Sequence, residues 1–233
     1  MIKAFTITFN ILLLILTSSI SCKSKIDLED NYSKYYIPSR ALNDTVVYTY
    51  EFYYNDKLTK ENYELYWFEQ IGSETILNHK ILNQNREPLI LWRMIVNKSD
   101  SKLIENIYYD DSSRNILETK SSILEDKVFC WKGDCDSILT VKIENKYKSY
   151  KIDKVLPPKV VDSVIIEGSK YPTIGILEYI NVEDYRDSTK QNTVAIKKYA
   201  KEIGKVETVI KLIGDNYYFI KLKEIDLYSN WVK

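Results

Sequence analysis

The chain predicts an all-β fold: a single curved antiparallel sheet, as an open half-barrel or a sandwich, with few short helices. Three observations carry this. Apolar and polar residues alternate with period two along most of the sequence, the mark of strands with one buried face. Turn-rich breaks recur at Asn97–Asp100, Asp110–Asn115, Pro157-Pro158 and Gly168-Ser169, at the spacing of antiparallel strands and not of βαβ units. Helical spacing is scarce. Val160, Val161, Val164 and Ile165 have it, but four β-branched residues oppose a helix there.

The first segment carries one positive charge, Lys3, then an apolar run centred on Ile11–Leu16, then the small polar tract Thr17–Ser21. This is the layout of a secretory signal peptide over residues 1–21. The run is too short for a comfortable membrane span, which needs roughly 20 residues. Cys22 follows at once, and Lys23 and Lys25 turn the chain polar. Small residues before a cysteine resemble the lipobox of bacterial lipoproteins, with Ser19 where Leu is common. The resemblance implies export and a membrane anchor of acyl chains, palmitate among them, on Cys22. The expected location is the outer membrane, periplasmic or surface-facing. Residues 22–39, of mixed charge, read as a lipidated tether, with room for one helical turn between Leu28 and Tyr36. Residues 40–233 are the antiparallel β domain.

The strands follow in order. Thr45–Tyr54 places Tyr48, Tyr50, Phe52 and Tyr54 on one face. Tyr63–Ile71 groups Tyr63, Leu65, Trp67 and Ile71, and Gly72-Ser73 turns the chain. Glu74–Leu82 holds His79 on a strand face, half exposed to water. Leu89–Val96 sets Ile90, Trp92, Met94 and Val96 against Arg93 and is the best candidate for a central strand. Leu139–Tyr147 alternates Leu139, Val141 and Ile143 with Thr140, Lys142 and Glu144. The last hairpin joins Val206–Ile213 to Tyr217–Ile225 through Gly214-Asp215-Asn216.

With Cys22 acylated, Cys130 and Cys135 remain, and an even count in an exported chain points to a disulfide. A two-residue turn at Lys132-Gly133 would pair Trp131 with Asp134 and set the two cysteines opposite each other. Free thiols, or a redox or metal pair, are the alternatives, though such pairs usually have two residues between the cysteines.

Without residues 1–21 the chain has 32 basic and 33 acidic side chains. No basic excess marks a nucleic-acid binder. Its 20 tyrosines suit sheets, where the ring packs and the hydroxyl reaches water, and they also fit an AT-rich codon bias.

No catalytic residue stands out. His79 is the only histidine, and no Gly-x-Ser-x-Gly accompanies it. The acidic clusters Asp110-Asp111, Asp134/Asp136 and Glu183-Asp184…Asp187 lie in expected turns, where acids are ordinary. Calcium-loop, phosphate-loop, zinc and dinucleotide patterns are missing, so neither cofactor nor metal is expected.

Two segments resemble a loose group of uncharacterised Gram-negative envelope lipoproteins. Tyr36-Ile37-Pro38 with Asn43–Tyr50 is similar to their aromatic-x-Pro and Gly-x-x-Trp-x-Tyr opening. Tyr199–Glu207 is similar to their Tyr-Ala-x-Gly-x-Gly-x-Val entry to a final hairpin, with Leu222 and Ile225 in its Leu-rich strand. Asn43, Val46 and Glu202 depart from the pattern. The resemblance implies an envelope lipoprotein with a curved antiparallel sheet and supplies no activity. Asp44-Thr45-Val46, Asp136-Ser137-Ile138, Asp162-Ser163-Val164 and Asp187-Ser188-Thr189 also resemble an O-glycosylation pattern of one Gram-negative phylum. It would place sugars on Thr45, Ser137, Ser163 and Ser188.

The first functional reading is a non-catalytic binding or structural module. Its partner would be a protein, a glycan or an envelope polymer, met by a wet sheet face or by strand addition at an edge. The alternative is a carrier of lipid or another apolar ligand in an open barrel lined by Tyr48, Tyr50, Trp67 and Trp92. The third is a polysaccharide-acting enzyme using two carboxylates.

Overall fold

The chain's computed structural model describes residues 32–110, 117–131, 135–212 and 215–232. Its strands are β1 (Val46–Tyr54), β2 (Lys57–Ile71), β3 (Glu74–Leu82), β4 (Pro88–Val96), β5 (Asp100–Asp110), β6 (Leu117–Lys120) and β7 (Ser122–Cys130). They continue with β8 (Ile138–Glu144), β9 (Lys148–Ile166), β10 (Ser169–Asp184), β11 (Thr189–Ala200), β12 (Gly204–Lys211) and β13 (Tyr217–Leu227). All pair antiparallel in one sheet, β4-β3-β2-β1-β13-β12-β11-β10-β9-β8-β7-β5-β6. Helix α1 (Ser33–Tyr36) and a 3₁₀ turn (Ser39–Leu42) precede β1, and α2 (Tyr228–Trp231) follows β13.

β4 also pairs with β5, from Ile90↔Tyr108 to Val96↔Ser101. That pairing closes a barrel of twelve strands, with β6 continuing the course of β7 beside β5. The expected open half-barrel or sandwich is thus corrected to a closed ring. Twisted strands curl as they add, and a sheet this long meets its own edge. Alternation reports that each strand has an inner face and carries no information about closure. A central strand is likewise not a property of a ring, and Leu89–Val96 is the closing strand β4.

Pro157-Pro158 is also corrected. It is no turn: β9 runs through it, and Leu156-Pro157 is cis. A proline has no N–H to give the ladder. The register against β10 accordingly shifts between Pro172 and Ile174 and between Gly175 and Leu177. The bare Gly175 lets the strands approach, since a Cβ there would stand 2.7 Å from Val161 Cγ2.

The barrel interior gathers Val46, Tyr48, Tyr50, Tyr66, Leu77, Met94, Val141, Ile143, Val206 and Leu222. One end is stoppered by α1 and the 3₁₀ turn. Tyr35 and Tyr36 are buried, and Tyr36 stacks on Phe129 at 4.3 Å and meets Tyr199 edge-on at 5.1 Å. Backbone bonds fix the stopper: Tyr32 N–H to the Trp131 carbonyl, Ser39 N–H to the Glu202 carbonyl, and Glu202 N–H to the Lys34 carbonyl. The expected tether is therefore part of the folded body from Tyr32 onward. The tip of the β9–β10 hairpin lies against the same end, with Arg40 paired to Glu167 at 2.7 Å.

The outer wall is charged. Arg93 bridges Glu69 and Glu105, each at 3.0 Å, Lys151 meets Asp153 at 2.9 Å, and Lys198 meets Glu207 at 2.8 Å. Charges in mid-strand on the outside belong to a barrel standing in water, since a lipid-facing wall is apolar. A smaller outer cluster, Val47, Leu65 and Leu82 with Tyr63 and Trp67, is covered by Trp231 of α2.

Candidate functional site

The inner faces of the strands carry a layer of charge. On β2, Glu64 pairs with Tyr48 of β1 and stands between Asn62 and Tyr66, all pointing inward. Its carboxylate accepts bonds from Lys205 Nζ of β12 and from Tyr66 Oη at 2.6 Å, and lies 2.9 Å from His79 Nε2 of β3. Burial pushes the Glu64 pKa up, and Lys205 and His79 more than reverse this, holding it well below the carboxylate range. His79 stacks on Tyr66 with centroids 4.4 Å apart. Burial lowers its pKa despite Glu64, so the ring is neutral at pH 7. His79 lies on a strand face, as expected, but that face is the inner one, and its side chain is 17% exposed instead of half exposed.

A second group faces the first. Glu178 of β10 is fully buried, 2.7 Å from Lys197 Nζ of β11 and 3.9 Å from Lys154 Nζ of β9. Burial raises its pKa, and Lys197 and Lys154 bring it below the ordinary value. Lys154 donates to the Val128 carbonyl at 2.8 Å and lies 4.0 Å over the Phe129 ring. Burial drops its pKa to about 8. The two groups feel each other, since Lys197 acts on His79 and Lys205 on Glu178.

The residues anticipated as a ligand face are divided by the sheet. Tyr48 and Tyr50 are fully buried, with hydroxyls bonded to the carbonyls of Ile203 and Lys205. Trp92 pairs with His79 and packs half-buried against the interior. Trp67 faces outward in the α2 cluster and donates to Glu69 at 3.0 Å. Cys130 and Cys135 are joined. The proposed cross-strand hairpin is not their setting: Cys130 pairs with Asp100 of β5, β8 starts only at Ile138, and residues 132–134 lie outside the described residues. Trp131 is buried in the stopper.

Thr45 and Ser163 are half-buried, and Ser137 and Ser188 are exposed, Ser188 in the β10–β11 turn. Cys22 lies outside the described residues. Of the acidic clusters, Asp184 is tied to Arg186 at 2.7 Å and Lys148 at 3.2 Å, and Asp187 accepts from Thr189 at 2.7 Å. Among the described residues no group of three His, Cys, Asp or Glu is placed to hold a metal ion.

Sequence reasoning passed over Glu64, Lys154, Glu178, Lys197 and Lys205. Their signal was a charge on an otherwise apolar strand face, as in Ile174, Ile176, Glu178 and Ile180. A cleft of about 390 Å³ beside the stopper has an apolar floor of Ile37, Leu42, Phe68 and Val96, rimmed by Lys34 and Glu202.

No family model and no curated protein matches the chain. Solved structures do. A candidate lipoprotein from Parabacteroides distasonis ATCC 8503 superposes with a TM-score of 0.50 at 10% identity, covering 82% of this chain and 98% of that one. A candidate exported protein with YmcC-like fold from Bacteroides fragilis NCTC 9343 gives 0.51 at 11% identity, covering 82% and 99%. At these identities the likeness shows a shared fold.

Proposed function

We propose that this chain is a lipid-anchored protein of the cell envelope whose barrel is a non-catalytic binding module. One observation carries the second half. The interior acid–base groups are engaged with one another: Glu64 is held by Lys205, His79 and Tyr66, and Glu178 by Lys197 and Lys154. A general acid or base needs a proton-exchanging group free toward substrate. The signal layout before Cys22 supports the anchor, as does a fold shared with a candidate lipoprotein and a candidate exported protein. Closure pairs β4 with β5, so strand addition is left to stretches that outrun a neighbour, such as residues 156–166 of β9, which pair with β10 alone. A partner meets such a stretch, the outer wall, the loops or the lumen.

The test has two arms. Intact-mass measurement of native protein should show acylated Cys22 and loss of residues 1–21, and Cys22→Ser should move the protein from the membrane to the soluble envelope fraction. Purified protein incubated with envelope glycans should retain them without cleavage. Products that vanish in Glu64→Gln or Glu178→Gln would replace the binding module with an enzyme.

A further inference from the structure

We infer that the barrel lumen takes an anionic group carried on an apolar body, with Lys197 and Lys205 meeting the anion and Phe52, Trp92, Tyr150 and Ile210 holding the body. This rests on the binding-module reading and names its ligand class. The named layer holds three ammonium groups, Lys154, Lys197 and Lys205, against two carboxylates, Glu64 and Glu178, with His79 neutral. A surplus positive charge in a low-dielectric interior is costly until an anion joins it. Burial, with Lys197 adding to it, eases the proton off Lys154, which lies near Glu178 and against the Val128 carbonyl and the Phe129 ring.

Access decides which members of the layer a ligand meets. The side chains of Glu178, Glu64 and Lys154 are 0%, 5% and 7% exposed. Those of Lys197 and Lys205 are 24% and 16% exposed. The carboxylates thus lie behind, as fixed counter-charges that aim the lysines, and the open members are the two lysines and the neutral His79, itself 17% exposed. Toward the end away from the stopper, half-buried apolar residues line the inward face together with charges at its rim: Lys60 lies 5.1 Å over the Phe52 ring, and Lys148 meets Asp184 at 3.2 Å one step beyond Tyr150. Phe52 follows Tyr50 on β1, Tyr150 pairs with Ile143, Ile210 pairs with Ala195, and Trp92 stands level with His79. A few charges at the base of an aromatic and aliphatic wall is the composition of a site for an amphiphilic anion.

The probes are dodecanoate, dodecanol and sulfate, titrated calorimetrically into the full chain carrying Cys22→Ser. Dodecanoate should bind saturably, about tenfold or more tighter than dodecanol, the worth of a charge-assisted contact. Sulfate should not compete. Lys197→Gln should remove the preference for dodecanoate over dodecanol, and Lys197→Arg should restore it. Should Lys197→Gln fail to fold, Ile210→Glu, which sets a carboxylate on the wall, should repel dodecanoate. Equal binding of dodecanol, full competition by sulfate, or no binding of dodecanoate would each overturn the inference. Failure of the envelope reading shows separately, as an unacylated Cys22 in native protein.

Discussion

Glu64 offers two oxygens and receives three partners, so its removal strands several groups at once. Glu64→Gln keeps the shape but leaves the Lys205 ammonium without its counter-charge in the interior. The expected loss is about 3–5 kcal/mol of unfolding free energy, the range for breaking a buried pair. Urea unfolding followed by tryptophan fluorescence measures it, and a change under about 1 kcal/mol would mean the pair is solvated. Lys154 gives a signed pH effect. Its pKa is about 8 when folded and 10.5 as the ordinary value. Between these, the unfolded chain binds the proton that the folded chain has released, so stability rises with pH. The gain is on the order of 2–3 kcal/mol across the window. Unfolding curves at pH 7.5 and about 9.5 should show the rise, and Lys154→Met should flatten it. Above about pH 10 the buried tyrosines, whose pKa values burial raises, pull the other way. At the acid end, Glu64 stabilises above its ordinary value, and this is lost as pH falls through its depressed folded value. The depressed pKa of His79 makes the fold lose stability as pH drops below about 6.5.

Among the elements, the turn between β11 and β12 is tied to the stopper by its backbone geometry. Glu202 and Gly204 both have positive φ, 68° and 91°, and a Cβ on Gly204 would stand 3.2 Å from Pro38 Cγ. Gly204→Ala therefore strains the backbone and pushes on the stopper. It should cost about 1–2 kcal/mol and lower the melting temperature by several degrees. An unchanged melting temperature would show that the stopper yields. The Cys130–Cys135 bond closes a short loop, so the chain-entropy account gives it about 2 kcal/mol. Reduction should shift the denaturation midpoint by that amount and leave the far-ultraviolet circular dichroism of the barrel intact. The strands at Thr45–Tyr54, Glu74–Leu82, Leu89–Val96 and Leu139–Tyr147 were readable because each has a one-sided apolar pattern. Two things were not readable. The apolar side of β2, Tyr63, Leu65 and Trp67, faces outward, since α2 supplies it with a cover that alternation cannot foresee. Pro157-Pro158 reads as a break, yet β9 continues because β10 shifts register and contributes Gly175.

For the whole molecule, closure sets the terms. Every barrel strand has a neighbour on each side, so the remaining edges are stretches that outrun a neighbour, such as residues 156–166 of β9 beyond the end of β8. The β4–β5 seam should stay closed to partners, and a dimer seen in analytical ultracentrifugation that joins copies through β4 or β5 would contradict it. Closure itself left little trace in the sequence, since β4 and β5 alternate like any other pair. The charged layer left more trace, but as isolated acids and lysines on five strands whose convergence only the ring creates. The stopper has a mechanical meaning as well. Tyr32, Lys34 and Ser39 join the entering leader to Trp131 and Glu202 by backbone bonds. Tension on a leader fixed at its far end would load these bonds first, at Trp131 after β7 and then at the β11–β12 loop. The barrel then behaves as a bead hung from a reinforced eyelet: pulled, it sheds α1 while its hoop of strands stays whole.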